Sequence, residues 1–72
     1  RVSIKLNLED RSDIVINIRD LSGKMVKAIS LKGLEAGTEE ITLPTGALKT
    51  GNYIVSVING KDVKTAKLVV KH

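Results

Sequence analysis

At 72 residues the chain is a single domain or one end of a longer protein, and a chain this short buries only about 60% of its unfolded surface. It contains no cysteine, which excludes a disulfide framework and thiolate metal sites, and no apolar run in it approaches the roughly 18 residues that span a bilayer as a helix. The net charge of +4 is uneven, because residues 61–71 (KDVKTAKLVVK) carry four lysines against the single Asp62.

The core must be drawn from eight Ile, eight Val and eight Leu, with four Ala, Met25 and Tyr53, since Phe and Trp are absent. Branched Ile and Val are stiff at χ1 and suit pleated surfaces, which favours strands. Val2, Ile4, Leu6 and Leu8 alternate with Ser3, Lys5 and Asn7, the period-two pattern of a strand with one dry face. After a charged turn at residues 9–12, Ile14, Ile16 and Ile18 repeat the pattern. DLSGK (residues 20–24) then reads as a tight hairpin turn, with Gly23 supplying a positive φ.

MVKAISL (residues 25–31) alternates less cleanly, with Val26 and Ala28 on one side and Met25, Ile29 and Leu31 on the other. Such a strand is either buried on both faces or interrupted by a bulge. KGLEAGTEE (residues 32–40) reads as a connection from which Leu34 plugs the core, and Ile41 and Leu43 mark a short strand stopped by Pro44. Tyr53, Val55 and Val57 define a fifth strand, Asn59-Gly60 is a strong hairpin signal, and residues 63–71 make the last strand with Ala66, Leu68 and Val70 inward. No amphipathic helix is evident. Short strands separated by turn signals predict an all-β fold, a small antiparallel immunoglobulin-like β-sandwich of six or seven strands.

The inventory offers little for catalysis. His72, the only histidine, is terminal, is not expected to be buried or oriented by a second group, and reads as a tag residue outside a domain of residues 1–71. Glu9, Asp10 and Asp13 are too few for a calcium loop and have Arg11 among them, so turn chemistry accounts for them. No phosphate-cradling glycine loop opens a helix, and one tyrosine is a poor stacking platform for nucleic acid. The expectation is therefore of no catalytic residue, no metal, no cofactor, no nucleic acid and no small-molecule substrate.

LPTG (residues 43–46) differs from a Gram-positive wall-sorting signal, which has a residue between Pro and Thr and an apolar segment after it. LKTGNYIVSV (residues 48–57) has the form of a tyrosine corner: Leu48 as core plug, Gly51 allowing the turn, and Tyr53 returning its hydroxyl to upstream backbone.

In their order and spacing these segments resemble the C-terminal sorting domain of the type IX secretion system of Bacteroidetes. The resemblance rests on SIKLNL (residues 3–8), INIRDLSGKMVK (residues 16–27) with its D-x-x-G-K turn, LEAGTEEITL (residues 34–43), LKTGNYIVSV and the terminal KLVVK (residues 67–71). It implies a non-catalytic secretion signal that follows an N-terminal cargo domain. The cargo reaches the periplasm by its own signal peptide, which is expected outside this chain. An outer-membrane translocon then recognises the folded domain, and a sortase commonly removes it and joins the cargo to anionic lipopolysaccharide at the cell surface. On this reading Lys67, Leu68, Val69, Val70 and Lys71 carry partner recognition, while Gly23, Leu48, Gly51, Tyr53 and Gly60 hold the fold. An immunoglobulin- or fibronectin-like spacer shares the same sandwich and corner. A carbohydrate-binding module would normally expose more aromatic rings than Tyr53 alone provides.

Overall fold

In the computed structural model, which describes residues 2–72, the chain forms six antiparallel strands. They are β1 (Val2–Leu8), β2 (Ser12–Asp20), β3 (Met25–Leu34), β4 (Gly37–Leu43), β5 (Gly51–Asn59) and β6 (Asp62–Val70). Two sheets face each other: a small one of β1 and β4, and a larger one in the order β3-β2-β5-β6. This is an all-β architecture consistent with a small immunoglobulin-like sandwich.

The period-two segments fold as their alternation dictates. Ile14, Ile16 and Ile18 point inward from the central strand β2 and are essentially sealed from solvent, whereas Val15 between them is 38% exposed. Leu8 and Leu43 cover them from the small sheet, and Leu48, Tyr53, Val55, Leu68 and Val70 complete one continuous core. Burying a side chain of this size contributes roughly 1.5–3 kcal/mol. Ten such residues therefore carry most of the driving force available to so short a chain.

The irregular pattern of residues 25–31 is resolved by a bulge. Ile18 pairs with Lys27 and Arg19 with Met25, so Val26 is the extra residue. The extra residue brings Val26 onto the core side with Ile29 and Leu31, and Met25 stays 42% exposed. A second irregularity lies at the other end of the pair, where Ser12 faces Leu34 and Ile14 faces Leu31. Gly33 takes a φ of +67° there, its N–H donates to Asp13 Oδ1 at 2.8 Å, and a Cβ would come within 3.0 Å of the Arg11 guanidinium.

Three expectations from sequence need correction. The segment at residues 32–40 is not a connection: β3 runs through Leu34, β4 begins at Gly37, and only Glu35 and Ala36 join the sheets. Leu34 does pack against the core, but as the last residue of a strand. Ala66 shares the inward side of β6 with Leu68 and Val70 yet is exposed, because the small sheet does not extend over it. Gly51 has no positive φ, and a Cβ on it would meet its neighbours at an ordinary 3.9 Å, so the turn before β5 does not depend on glycine there.

Candidate recognition surface

One end of the sandwich gathers most of the residues singled out by sequence. Register places Asp20 beside Tyr53, Tyr53 beside Leu68, and Gly51 beside Val70. The DLSGK turn, the tyrosine corner and the end of β6 are thus neighbours.

The turn is organised by Asp20. Its Oδ1 accepts from the Ser22 hydroxyl at 2.6 Å and from the Ser22 and Lys24 amides, each at 3.0 Å. The Ser22 hydroxyl, and next the Lys24 amide, hold the Asp20 carboxyl below the usual carboxylate range. Gly23, at φ +92°, lets the chain reverse, and Arg19 Nη1 donates to its carbonyl at 3.1 Å. These contacts give the D-x-x-G-K spacing a physical meaning: an acid reaching forward to the two amides ahead of it, with glycine at the reversal.

The corner is built on the connection between β4 and β5. Leu48 is buried in the core, and its N–H donates to the Thr45 carbonyl at 3.0 Å. The Tyr53 hydroxyl donates to the Lys49 carbonyl at 2.6 Å, while the ring is buried against the core. His72 is held here as well, contrary to the expectation that nothing would orient it. Its N–H donates to Thr50 Oγ1 at 3.3 Å, and its Nε2 lies 2.7 Å from the Leu48 carbonyl oxygen, to which a ring nitrogen can only donate. A terminal histidine gives no sequence signal for such a contact.

At the opposite end, the turn that joins β5 to β6 places Gly60 and Lys61 between the paired Asn59 and Asp62. Only Gly60 has a positive φ, +61°, the pattern of a type II′ turn rather than the type I′ turn usual for Asn-Gly.

β6 is an edge strand, hydrogen-bonded among the described residues to β5 alone. The pleat divides residues 67–71 into two sets: Leu68 and Val70 are buried in the core, whereas Lys67, Val69 and Lys71 face solvent, Val69 at 58% exposure. Any contact with a partner through this segment must use the second set and the free backbone edge. Beside it, Lys64 and Ala66 of β6 line a groove shared with β1, which sequence reasoning did not anticipate because β1 and β6 are far apart in the chain. Among the described residues no three His, Asp or Glu side chains come together as metal ligands would.

A small sandwich with a tyrosine-anchored corner and a basic, open edge strand has the build of a module that other proteins bind. The sequence matches, over residues 1–71, the family described as the secretion system C-terminal sorting domain. The chain belongs to that family, the sorting signals of type IX secretion. Membership implies attachment to an N-terminal cargo, interaction with the type IX machinery, and export to the cell surface or beyond. No curated protein matches the chain.

Proposed function

We propose that this domain, as residues 1–71, is a non-catalytic address that carries its N-terminal cargo from the periplasm through the outer membrane. The outer-membrane translocon recognises the folded sandwich, and a sortase then removes it and anchors the cargo at the cell surface. Recognition uses the end of β6: Lys67, Val69 and Lys71 contact the partner, and Leu68 and Val70 hold the strand in place. The family match over residues 1–71 carries the reading. The exposure of two lysines and a valine at the end of an edge strand supports the choice of surface, since edge backbone and charge are the usual means by which a sheet captures a partner.

The test is export of a periplasmic reporter fused to the domain in a host with type IX secretion. Deleting residues 67–71 would also remove Leu68 and Val70 from the core, so loss of export by that variant would be uninformative. The better variant is Lys67→Ala, Val69→Ser, Lys71→Ala, which leaves the core intact. It is expected to melt close to the parent domain while its reporter accumulates in the periplasm. Undiminished surface delivery would overturn the assignment of this surface.

A further inference from the structure

The two long sides of the sandwich are built differently. On one side the chain passes from β3 to β4 through Glu35 and Ala36 alone, which ties the sheets together. On the other side β1 and β6 each end their own sheet. Between them runs a groove of about 540 Å³, with Ile4 and Leu6 on the β1 wall, Ala66 and Leu68 on the β6 wall, and Val55 and Val57 between. Ile4, Leu6 and Val57 are only half-buried and Ala66 is exposed, so the inward face of the larger sheet is incompletely covered here.

Charge distinguishes possible occupants. The groove is also lined by Lys5, Lys64 and Lys67, with no carboxylate among its lining residues. Lys5 stands opposite Glu40 in the β1–β4 register. Lys64 and Lys67 stand opposite Val57 and Ile54, so no cross-strand acid offsets them. A second copy of the chain is a poor fit. Antiparallel pairing of β6 with β6 centred on Lys64 or Lys67 would set the lysines of one copy beside those of the other, and like charges across a ladder are destabilising. The protein's own charge of +4 opposes it further.

We propose that the groove receives an extended peptide segment of alternating apolar and acidic residues, which adds to the free edge of β6 as a further strand. Its backbone satisfies the unpaired N–H and C=O groups of that edge. Its inward side chains continue the row of Ala66, Leu68 and Val70 over the uncovered apolar face, and its acidic side chains, on the outward side of the pleat, meet Lys67. The inference deepens the sorting reading, and the partner's place in the export machinery rests on that reading. Strand capture itself is a property of this chain.

The probe is a fluorescein-labelled peptide of alternating valine and glutamate, as long as the nine residues of β6, titrated against the 72-residue protein. Half-saturation is expected below about 1 mM. Binding should weaken about tenfold or more when salt rises from about 0.05 to about 0.5 M. A similar loss is expected in Lys64→Glu, Ala66→Glu, which leaves Lys67, Val69 and Lys71 untouched, and a smaller one in the milder Lys64→Gln should that variant fold poorly. A peptide N-methylated on alternate amides should not bind, and neither should an alternating valine–lysine peptide. The proposal falls if the valine–glutamate peptide stays free, if N-methylation leaves its binding unchanged, or if anionic phosphatidylglycerol vesicles are bound while the peptide is not. In the reporter assay, failure of the parent domain to direct export would overturn the sorting reading and leave the peptide titration to decide the groove. Export by the parent domain, unchanged in Lys64→Glu, Ala66→Glu, would uphold sorting and overturn the groove's part in it.

Discussion

Replacing Tyr53 by phenylalanine removes one oxygen and leaves the buried ring where it is. The bond lost is the 2.6 Å donation to the Lys49 carbonyl, which fastens the connection between β4 and β5 to the start of β5. Two limits bracket the cost. A neutral hydrogen bond contributes about 0.5–1.5 kcal/mol net, and a carbonyl left dry and unpaired costs about 1–3 kcal/mol. Lys49 is an exposed residue, so water can reach its carbonyl once the hydroxyl is gone, and the lower range applies. The expected loss is about 1 kcal/mol, which for a domain of this size lowers Tm by roughly 4–8 °C.

Urea denaturation followed by far-UV circular dichroism measures it. The midpoint should fall while the slope m stays constant, because the surface exposed on unfolding hardly changes. Tyr53→Ala, which also empties the ring's site, should cost about 3–5 kcal/mol. A Tyr53→Phe protein within about 0.3 kcal/mol of the parent would refute the reasoning, since it would show that the corner bond is replaced by water without cost.

Other substitutions separate the contributions of core, turn and glycine. Ile16→Ala should cost about 2–5 kcal/mol in chemical denaturation, because Ile16 is wholly buried in the central strand. Against a total of about 4–11 kcal/mol for 72 residues, that leaves a marginal fold. Gly33→Ala should destabilise by about 1–2 kcal/mol, since alanine must take φ +67° with its methyl close to Arg11. Gly51→Ala should instead be neutral or stabilise by about 0.4–1 kcal/mol, because the backbone there is ordinary and the added methyl has room. Replacing Asp20 by alanine should make stability less dependent on pH. Its carboxyl is held below the usual range when folded, so its contribution is full above the unfolded value of about 3.9 and is lost as pH falls through the folded value. The stability gap between parent and Asp20→Ala, from urea curves at neutral and acid pH, should close at the acid end.

How much of this was legible in the sequence depended on whether a feature is local. The inward triplet Ile14, Ile16, Ile18 and the row Val2, Ile4, Leu6, Leu8 could be read because a strand's face is set by parity alone. Gly23 could be read because a reversal of so few residues requires a positive φ. The bulge at Val26 showed only as a broken alternation. Which residues it bulged against depended on the pairing with β2, where the bulge falls between Ile18 and Arg19. The extension of β3 and β4 through residues 32–40 was hidden by Gly33 and Gly37, which read as loop residues although both lie within or at the start of strands. Their positive φ values mark a ladder irregularity and a strand entry. Glycine signals an unusual backbone but does not say whether pairing stops.

The basic tail shows the same limit at the recognition surface. In sequence, Lys61, Lys64, Lys67 and Lys71 form one patch of positive charge. The fold separates them: Lys61 lies in the turn before β6, Lys67 and Lys71 are on the outward side, and Lys64 shares the inward side with Ala66 at a groove closed by neither sheet. A wholly outward row would read as a solvated face that discourages edge pairing. A lysine on the inward side, next to uncovered alanine and half-buried valine, is different, because a strand laid there would set apolar side chains along that row and turn its acids toward the outward Lys67. That juxtaposition arises from β1 stopping short of β6, and composition or spacing within residues 61–71 cannot encode it.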